Sequence, residues 1–239
     1  MKTNKLPDSA RIKAVFFDAG GTLFQPYPSV GQVYSETPAR HGLQTDPQEM
    51  EARFHRHWTQ RDGLASLSNH SSPRAEREWW ESLVREVFSE VGRIDNFDAF
   101  FNELYDTFAC AEAWRLFPDA LPVLQKLKRK GKILGIISNW DSRLPSICEG
   151  LGLVSYFDFI LASALVGAAK PHPRIFQEAL DRAGVRPEEA LHVGDSLKDD
   201  VQGAREAGIH ALFIDRRGNR TAETPTISAL QFLGEMFED

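Results

Sequence analysis

Five short apolar runs constrain this 239-residue chain more tightly than anything else in its sequence: residues 14–17, 133–137, 157–161, 190–193 and 211–214. Each is almost continuously apolar, the pattern expected of strands covered on both faces of a parallel sheet. Helical patterns separate the last four. Residues 119–130 carry Leu121, Leu124 and Leu127, and residues 173–183 place Ile175, Phe176, Ala179 and Leu180 on one face. Residues 200–207 read as a helix that opens on a carboxylate and stops at Gly208, a residue suited to a helix C-terminal cap. Alternation of this kind predicts an α/β fold: an open, Rossmann-like parallel sheet with right-handed crossovers.

The first strand breaks the alternation. Between Thr22 and about Trp114 the sequence predicts helices and loops but no strand. The clearest helix covers residues 73–92, where Trp79, Trp80, Leu83, Val84, Val87 and Phe88 form one broad apolar face; residues 50–60 and 97–108 are further candidates. The predicted organisation is a core of residues 1–24 and 115–239 with an all-α insertion at 25–114. Residues 63–72 read as a polar loop, and the tail from Thr221 as a turn followed by a helix over 227–237. Trp58, Trp79 and Trp80 are expected in the core of the insertion rather than at an interface.

Composition excludes some classes of function. A net charge of −6 provides no basic footprint, which argues against a nucleic-acid partner. No apolar run approaches the ~20 residues that span a bilayer, and the basic N-terminus lacks the apolar stretch of a signal peptide, so no membrane partner and a cytoplasmic location are expected. The two cysteines, Cys110 and Cys148, form no metal-binding motif and are expected as buried or partly buried free thiols. Oligomeric state, monomer or homodimer, is not readable.

Ligands of open α/β sheets bind beyond the carboxyl ends of the strands. The first strand ends at Asp18 and the second in Ser138-Asn139; the third leads to Lys170-Pro171, and the fourth ends in Gly194-Asp195-Ser196 with Asp199 and Asp200 just beyond. Singly, each residue has an ordinary explanation: a turn aspartate, a surface lysine, or a helix-start carboxylate favoured by the dipole. Together, four strand ends deliver carboxylate, hydroxyl, ammonium and carboxylate to one rim.

Through FFDAGGTL, GIISNWD, AKPHPRIFQEAL and HVGDSLKDDVQGAREAGI, in that order and spacing, the chain resembles the haloacid dehalogenase (HAD)-like hydrolase superfamily, in its helical-cap subclass. EREWWESLVREVF and ISNWDSRL are similar to the group of haloacid dehalogenase-like hydrolase domain-containing proteins. The resemblance implies an enzyme with Asp18 as nucleophile and a covalent aspartyl intermediate. It implies substrate contacts from Ser138, Asn139 and the Gly20-Gly21 backbone, and charge neutralisation by Lys170. It also implies Mg²⁺ held by Asp18, the Gly20 carbonyl, Asp195 and either Asp199 or Asp200. Thr22 shares the same turn; its hydroxyl is placed equally well as a helix cap or a substrate contact.

One position departs from the family pattern. Phosphatases of the superfamily carry a second aspartate, a general acid–base, where this chain has Gly20; such help is worth roughly 10²–10⁴-fold. Haloacid dehalogenases also lack that aspartate, because halide leaves without a proton. They use no metal, however, and Asp195, Asp199 and Asp200 close to Asp18 would repel one another without a cation. Phosphonoacetaldehyde hydrolases need a lysine in the cap, and none occurs between Lys13 and Lys126. The expectation is therefore a Mg²⁺-dependent hydrolase of a small phosphorylated compound. A metal-free 2-haloacid dehalogenase and a catalytically weak binding protein stand as alternatives. His41, His55, His57 and His70 are candidates for activating water, each more readily read as a packing or solvent histidine.

Overall fold

The computed structural model describes residues 8–67, 72–218 and 224–237. Six parallel strands form the central sheet: β1 (Ala14–Phe17), β4 (Ile133–Ser138), β5 (Phe159–Ala162), β6 (Ala190–Gly194), β7 (His210–Ile214) and β8 (Thr226–Ile227). Their order is β5-β4-β1-β6-β7-β8, with β1 between β4 and β6. Successive residues of a strand face opposite sides of a sheet. Val15 and Phe17 accordingly enter one apolar cluster, with α5 (Ala120–Arg129), α6 (Leu144–Gly150) and α10 (Leu230–Glu235). Ala14 and Phe16 enter the other, with α8 (Pro173–Ala183) and α9 (Gly203–Glu206); the short α7 (Ser163–Val166) follows β5. The five predicted strands are present within a residue or two at their ends; β8, only two residues long, lies beyond what periodicity can signal.

The insertion does contain a strand. β2 (Phe24–Pro26) pairs antiparallel with β3 (Trp114–Leu116), so the chain leaves and re-enters the α/β half along one narrow ribbon. A three-residue strand carrying a proline reads as a loop in sequence. Among the described residues, four α-helices lie between its two arms: α1 (Val30–Arg40), α2 (Pro47–Gln60), α3 (Pro73–Phe88) and α4 (Phe97–Thr107). They build a third apolar cluster drawn wholly from residues 30–108, in which Tyr34, Met50, Phe88 and Phe100 are buried. The unexpected α1 carries an internal proline, Pro38, and a weak apolar stripe; Ser29 caps it by accepting from Gln32 N at 3.0 Å. Trp58, Trp79 and Trp80 pack partly buried against this cluster. Among the described residues, no helix is long and apolar enough to cross a membrane.

Two other expectations need correction. The segment after β6 begins not at Asp200 but at Leu197, as a π-helical turn (Leu197–Gln202) whose N-cap Ser196 accepts from Asp199 N at 3.1 Å. It passes into α9 and stops before Gly208, whose φ of 80° matches the expected left-handed stop. Cys148 is buried, but Cys110 is exposed, because it sits just beyond α4 on the outside of the bundle.

Candidate active site

β1 stops at Phe17, but its hydrogen-bond ladder runs one residue further: Asp18 N donates to Val193 O at 2.9 Å, which fixes the start of the Asp18 side chain against β6. The chain then turns sharply, with Leu23 and Phe24 amides both returning to Ala19 O. Gly21 adopts φ 80°, and a Cβ there would collide with the Asp195 carboxylate. The glycines of the turn thus bring backbone against a carboxylate from another strand end. Thr22 neither caps a helix nor reaches the cavity: its hydroxyl is buried and, among the described residues, has no hydrogen-bond partner.

Asp18, Ser138, Lys170 and Asp200 form one buried chain. Asp18 Oδ1 accepts from Ser138 Oγ at 2.9 Å and from Lys170 Nζ at 2.6 Å. Lys170 Nζ donates equally to Asp200 Oδ1, at 2.6 Å. Asp200 Oδ1 also accepts from His192 Nε2 at 2.8 Å, and Oδ2 from Ser196 N at 2.9 Å. The lysine is held from behind: Asn139 accepts Lys170 N at 2.7 Å through Oδ1 and donates to Lys170 O at 2.9 Å through Nδ2. The Asn139 side chain therefore grips the lysine's own backbone. His192 gives no signal in the sequence beyond its place in the HVGDS run; its Nδ1 is buried and has no hydrogen-bond partner among the described residues.

Oxygens of Asp18, Asp195 and Asp200 lie within 4.8 Å of one another. Asp199 is not in this group: it faces Ser196, whose hydroxyl donates to it at 3.2 Å. Adjacent residues of a helical turn point in different directions, and here it is Asp200 that faces Asp18. Three carboxylates share one ammonium in a site largely withdrawn from water, so full ionisation of all three is opposed. Burial and the carboxylate of Asp200 push the Asp18 carboxyl above its usual range despite Lys170. Desolvation and repulsion from Asp18 and Asp200 raise Asp195 to about 7. Burial opposes ionisation of Asp200, but Lys170 and His192 outweigh it and hold that carboxyl well below its usual range. Burial likewise disfavours charge on Lys170, and its two aspartate partners reverse the effect. A hard divalent cation with oxygen ligands fits a site of this charge and donor set.

A cavity of about 290 Å³ opens from Asp18, Gly20 and Ser138 into the helical bundle. Where a second carboxylate would reach in, Trp140 stands: its Cζ3 lies 3.0 Å from the place a Cβ on Gly20 would take. The segment after β4 is tied to α3 and α4. Trp80 Nε1 donates to Asp141 at 2.7 Å, Glu76 accepts from Ser142 N at 3.1 Å, and Arg143 donates to Tyr105 O at 3.0 Å. Asp141 is fully buried, and Arg143 pairs with it at 2.6 Å. In sequence Asp141, Ser142 and Arg143 show only their place in ISNWDSRL, and Glu76 and Trp80 only theirs in EREWWESLVREVF. Of the histidine candidates, His41 pairs with Glu103 at 2.8 Å and His57 faces Glu86 at 3.7 Å. His55 is exposed, and none of these three lines the cavity. His70 lies outside the described residues.

Residues 12–208 match the model of the haloacid dehalogenase-like hydrolase family. Haloacid dehalogenase-like hydrolase domain-containing protein 3 of Danio rerio is 33% identical over 229 residues, covering 94% of this chain and 95% of that protein. Among solved structures, a HAD phosphatase from Thermococcus onnurineus superposes with a TM-score of 0.65 at 28% identity, covering 94% of this chain and 97% of that one. A 2-haloacid dehalogenase from Pseudomonas syringae pv. Tomato DC3000 superposes with a TM-score of 0.63 at 25% identity, with the same coverage. The rim of strand ends that the sequence predicts is thus found in a chain that belongs to the haloacid dehalogenase-like hydrolase family.

Proposed function

We propose that this hydrolase is a Mg²⁺-dependent phosphatase or phosphotransfer enzyme acting on a small phosphorylated compound, with Asp18 as nucleophile. The observation that carries the reading is the cluster of Asp18, Asp195 and Asp200, three carboxylates balanced by the one ammonium of Lys170 on Asp18 and Asp200. Asp18, Asp195 and Asp200, with the Gly20 carbonyl, would hold Mg²⁺, which supplies charge neutralisation for a phosphoryl group. Residues 25–114 act as a cap over a core of residues 1–24 and 115–239; the separate apolar cluster of α1–α4 and the β2–β3 ribbon support that division.

The chain's own residues divide the work. Ser138 and Lys170 both bind Asp18 Oδ1 and so orient the carboxylate, leaving Oδ2 for in-line attack on phosphorus. The Lys170 ammonium offsets charge on the transferring group, and the Asn139 clamp keeps that ammonium in place. His192 and Ser196 N fix Asp200. Hydrolysis of the aspartyl phosphate proceeds without a carboxylate at position 20, so slow turnover is part of the reading.

Gly20 and the similarity to a dehalogenase favour one other reading, a metal-free 2-haloacid dehalogenase. Parallel assays separate the two: phosphate release from a panel of phosphate esters with and without Mg²⁺, and halide release from 2-chloropropionate in EDTA. Phosphate release dependent on Mg²⁺ is expected; halide release in EDTA with no phosphate release would sink the proposal.

A further inference from the structure

The cavity over Asp18 is aromatic where a small polar metabolite would need partners. Phe54, Trp58, Trp80, Phe101, Phe108 and Trp114 contribute to its wall. Trp58 lies nearly parallel to Trp80, with ring centroids 5.6 Å apart at 27°. Among the described lining residues, Arg143 is the one cation, and Asp141 and the Tyr105 carbonyl already engage it. Among the same described residues Asp18 is the one lining carboxylate, and the lining amide, Asn139, is committed to the Lys170 backbone. A substrate hydroxyl, amine or carboxylate entering this wall would lose water and find few replacements. A flat apolar ring would instead meet offset and edge-on aromatic partners. The volume, about 290 Å³, suits one substituted ring.

Position 20 supplies a second, independent constraint. Trp140 occupies the space beside Gly20, and among the described lining residues no carboxylate other than the nucleophile Asp18 is present to protonate a departing oxygen. Tyr34 and Tyr105 also line the cavity, but burial pushes both phenols above their ordinary range, so neither is a useful acid. A leaving group must then depart as a stable anion. Phenolates qualify, with conjugate acids near pKa 10 as for tyrosine; alkoxides resemble hydroxide, near 15.7.

We infer that the site takes aryl phosphate monoesters, the ring seated among the bundle aromatics and the phosphoryl group on Asp18; this rests on the phosphatase reading above. Asp18 forms a bond to phosphorus as the P–O(aryl) bond breaks, and the electron pair leaves on the phenolate, which takes a proton from solvent. Water then attacks phosphorus, loses a proton to solvent, and breaks the P–O bond to Asp18. The sum is aryl phosphate plus water giving phenol plus inorganic phosphate.

The test compares kcat/KM, by phosphate release with Mg²⁺, across four kinds of ester. These are ring-substituted phenyl phosphates, hexyl phosphate, acetyl phosphate, and the polar alkyl esters phosphoserine and glycerol 3-phosphate. Phenyl phosphates should exceed both alkyl kinds by about 10²-fold or more and fall steeply as the phenol becomes less acidic. Hexyl phosphate should inhibit competitively while turning over slowly, and Trp58→Ala should lower the phenyl-to-acetyl phosphate ratio by roughly tenfold. The leaving-group series and hexyl inhibition use the unaltered protein, so the outcome does not depend on that variant folding. Phosphoserine or glycerol 3-phosphate within about tenfold of phenyl phosphate would overturn the substrate inference and leave the phosphatase reading standing. Acetyl phosphate matching phenyl phosphate, without inhibition by hexyl phosphate, would overturn the role of the aromatic wall. Release from none of the esters would overturn both readings.

Discussion

In β6 and at or beyond the carboxyl ends of β1, β4, β5 and β6 the molecule buries Asp18, Ser138, Lys170, His192 and Asp200 as one hydrogen-bonded chain. Across the cavity, α1–α4 bury rings instead: Phe100 lies 5.0 Å from Phe88 and 5.6 Å from Phe97, and Tyr34 stacks on Phe88. The first arrangement depends on direction and charge balance, since a buried carboxylate is tolerated only when its partners are in place. The second depends on area and shape, and tolerates change so long as volume is kept. The two parts can therefore vary independently, and on the proposed reading the first carries the reaction chemistry and the second the substrate choice; the ribbon β2–β3 and the ties from residues 141–143 join them.

Substitutions on either side should break this contrast in graded ways. Asp18→Asn should cost most, on the order of 10⁴-fold in kcat, since amides do not attack phosphorus; stopped assays on phenyl phosphate, with circular dichroism to check folding, measure it. Lys170→Met should follow, leaving Asp18 and Asp200 buried without their ammonium. A loss of about 3–5 kcal/mol in urea denaturation is expected, and an unchanged midpoint would show that the cluster carries no such tension. Trp80→Phe keeps the ring in the cavity but removes the donor to Asp141, so about 1.5–3 kcal/mol is expected from the same measurement. The smallest effect belongs to Gly20→Asp. Its Cβ would already lie 3.0 Å from Trp140, so restoring the carboxylate alone should bring little gain; the gain in alkyl phosphate turnover should appear only in combination with Trp140→Ala. A large gain from Gly20→Asp alone would show that the indole is no obstacle.

Much of the molecule was legible because burial writes itself into short patterns. A strand covered on both faces needs an apolar run, as in residues 14–17 and 133–137, and Pro173–Ala183 carries its apolar face at helical spacing. β2, β8 and α6 escaped for want of length, and α1 because Pro38 and its polar residues blur the stripe. At the site, strand ends flagged Asp18, Ser138, Lys170 and Asp195 because sheet geometry sends every such end to one rim. His192 reads simply as one polar residue within a strand, and Asp141 as one more loop carboxylate; their partners, Asp200 and Trp80, come from elsewhere in the chain.

By itself, then, the sequence determined a parallel sheet, an inserted helical unit, and the set of residues delivered to the rim, all of which follow from local periodicity and from where each run stops. Only the tertiary structure decided that Asp200 rather than Asp199 meets Lys170, that Asn139 grips the lysine's backbone, and that Trp140 stands beside Gly20. Those outcomes are set by side-chain direction between segments as far apart in the chain as Gly20 and Trp140. Such directions depend on strand order, on the phase of a single helical turn and on packing against a separate bundle, none of which leaves a mark on the spacing of residues along one chain.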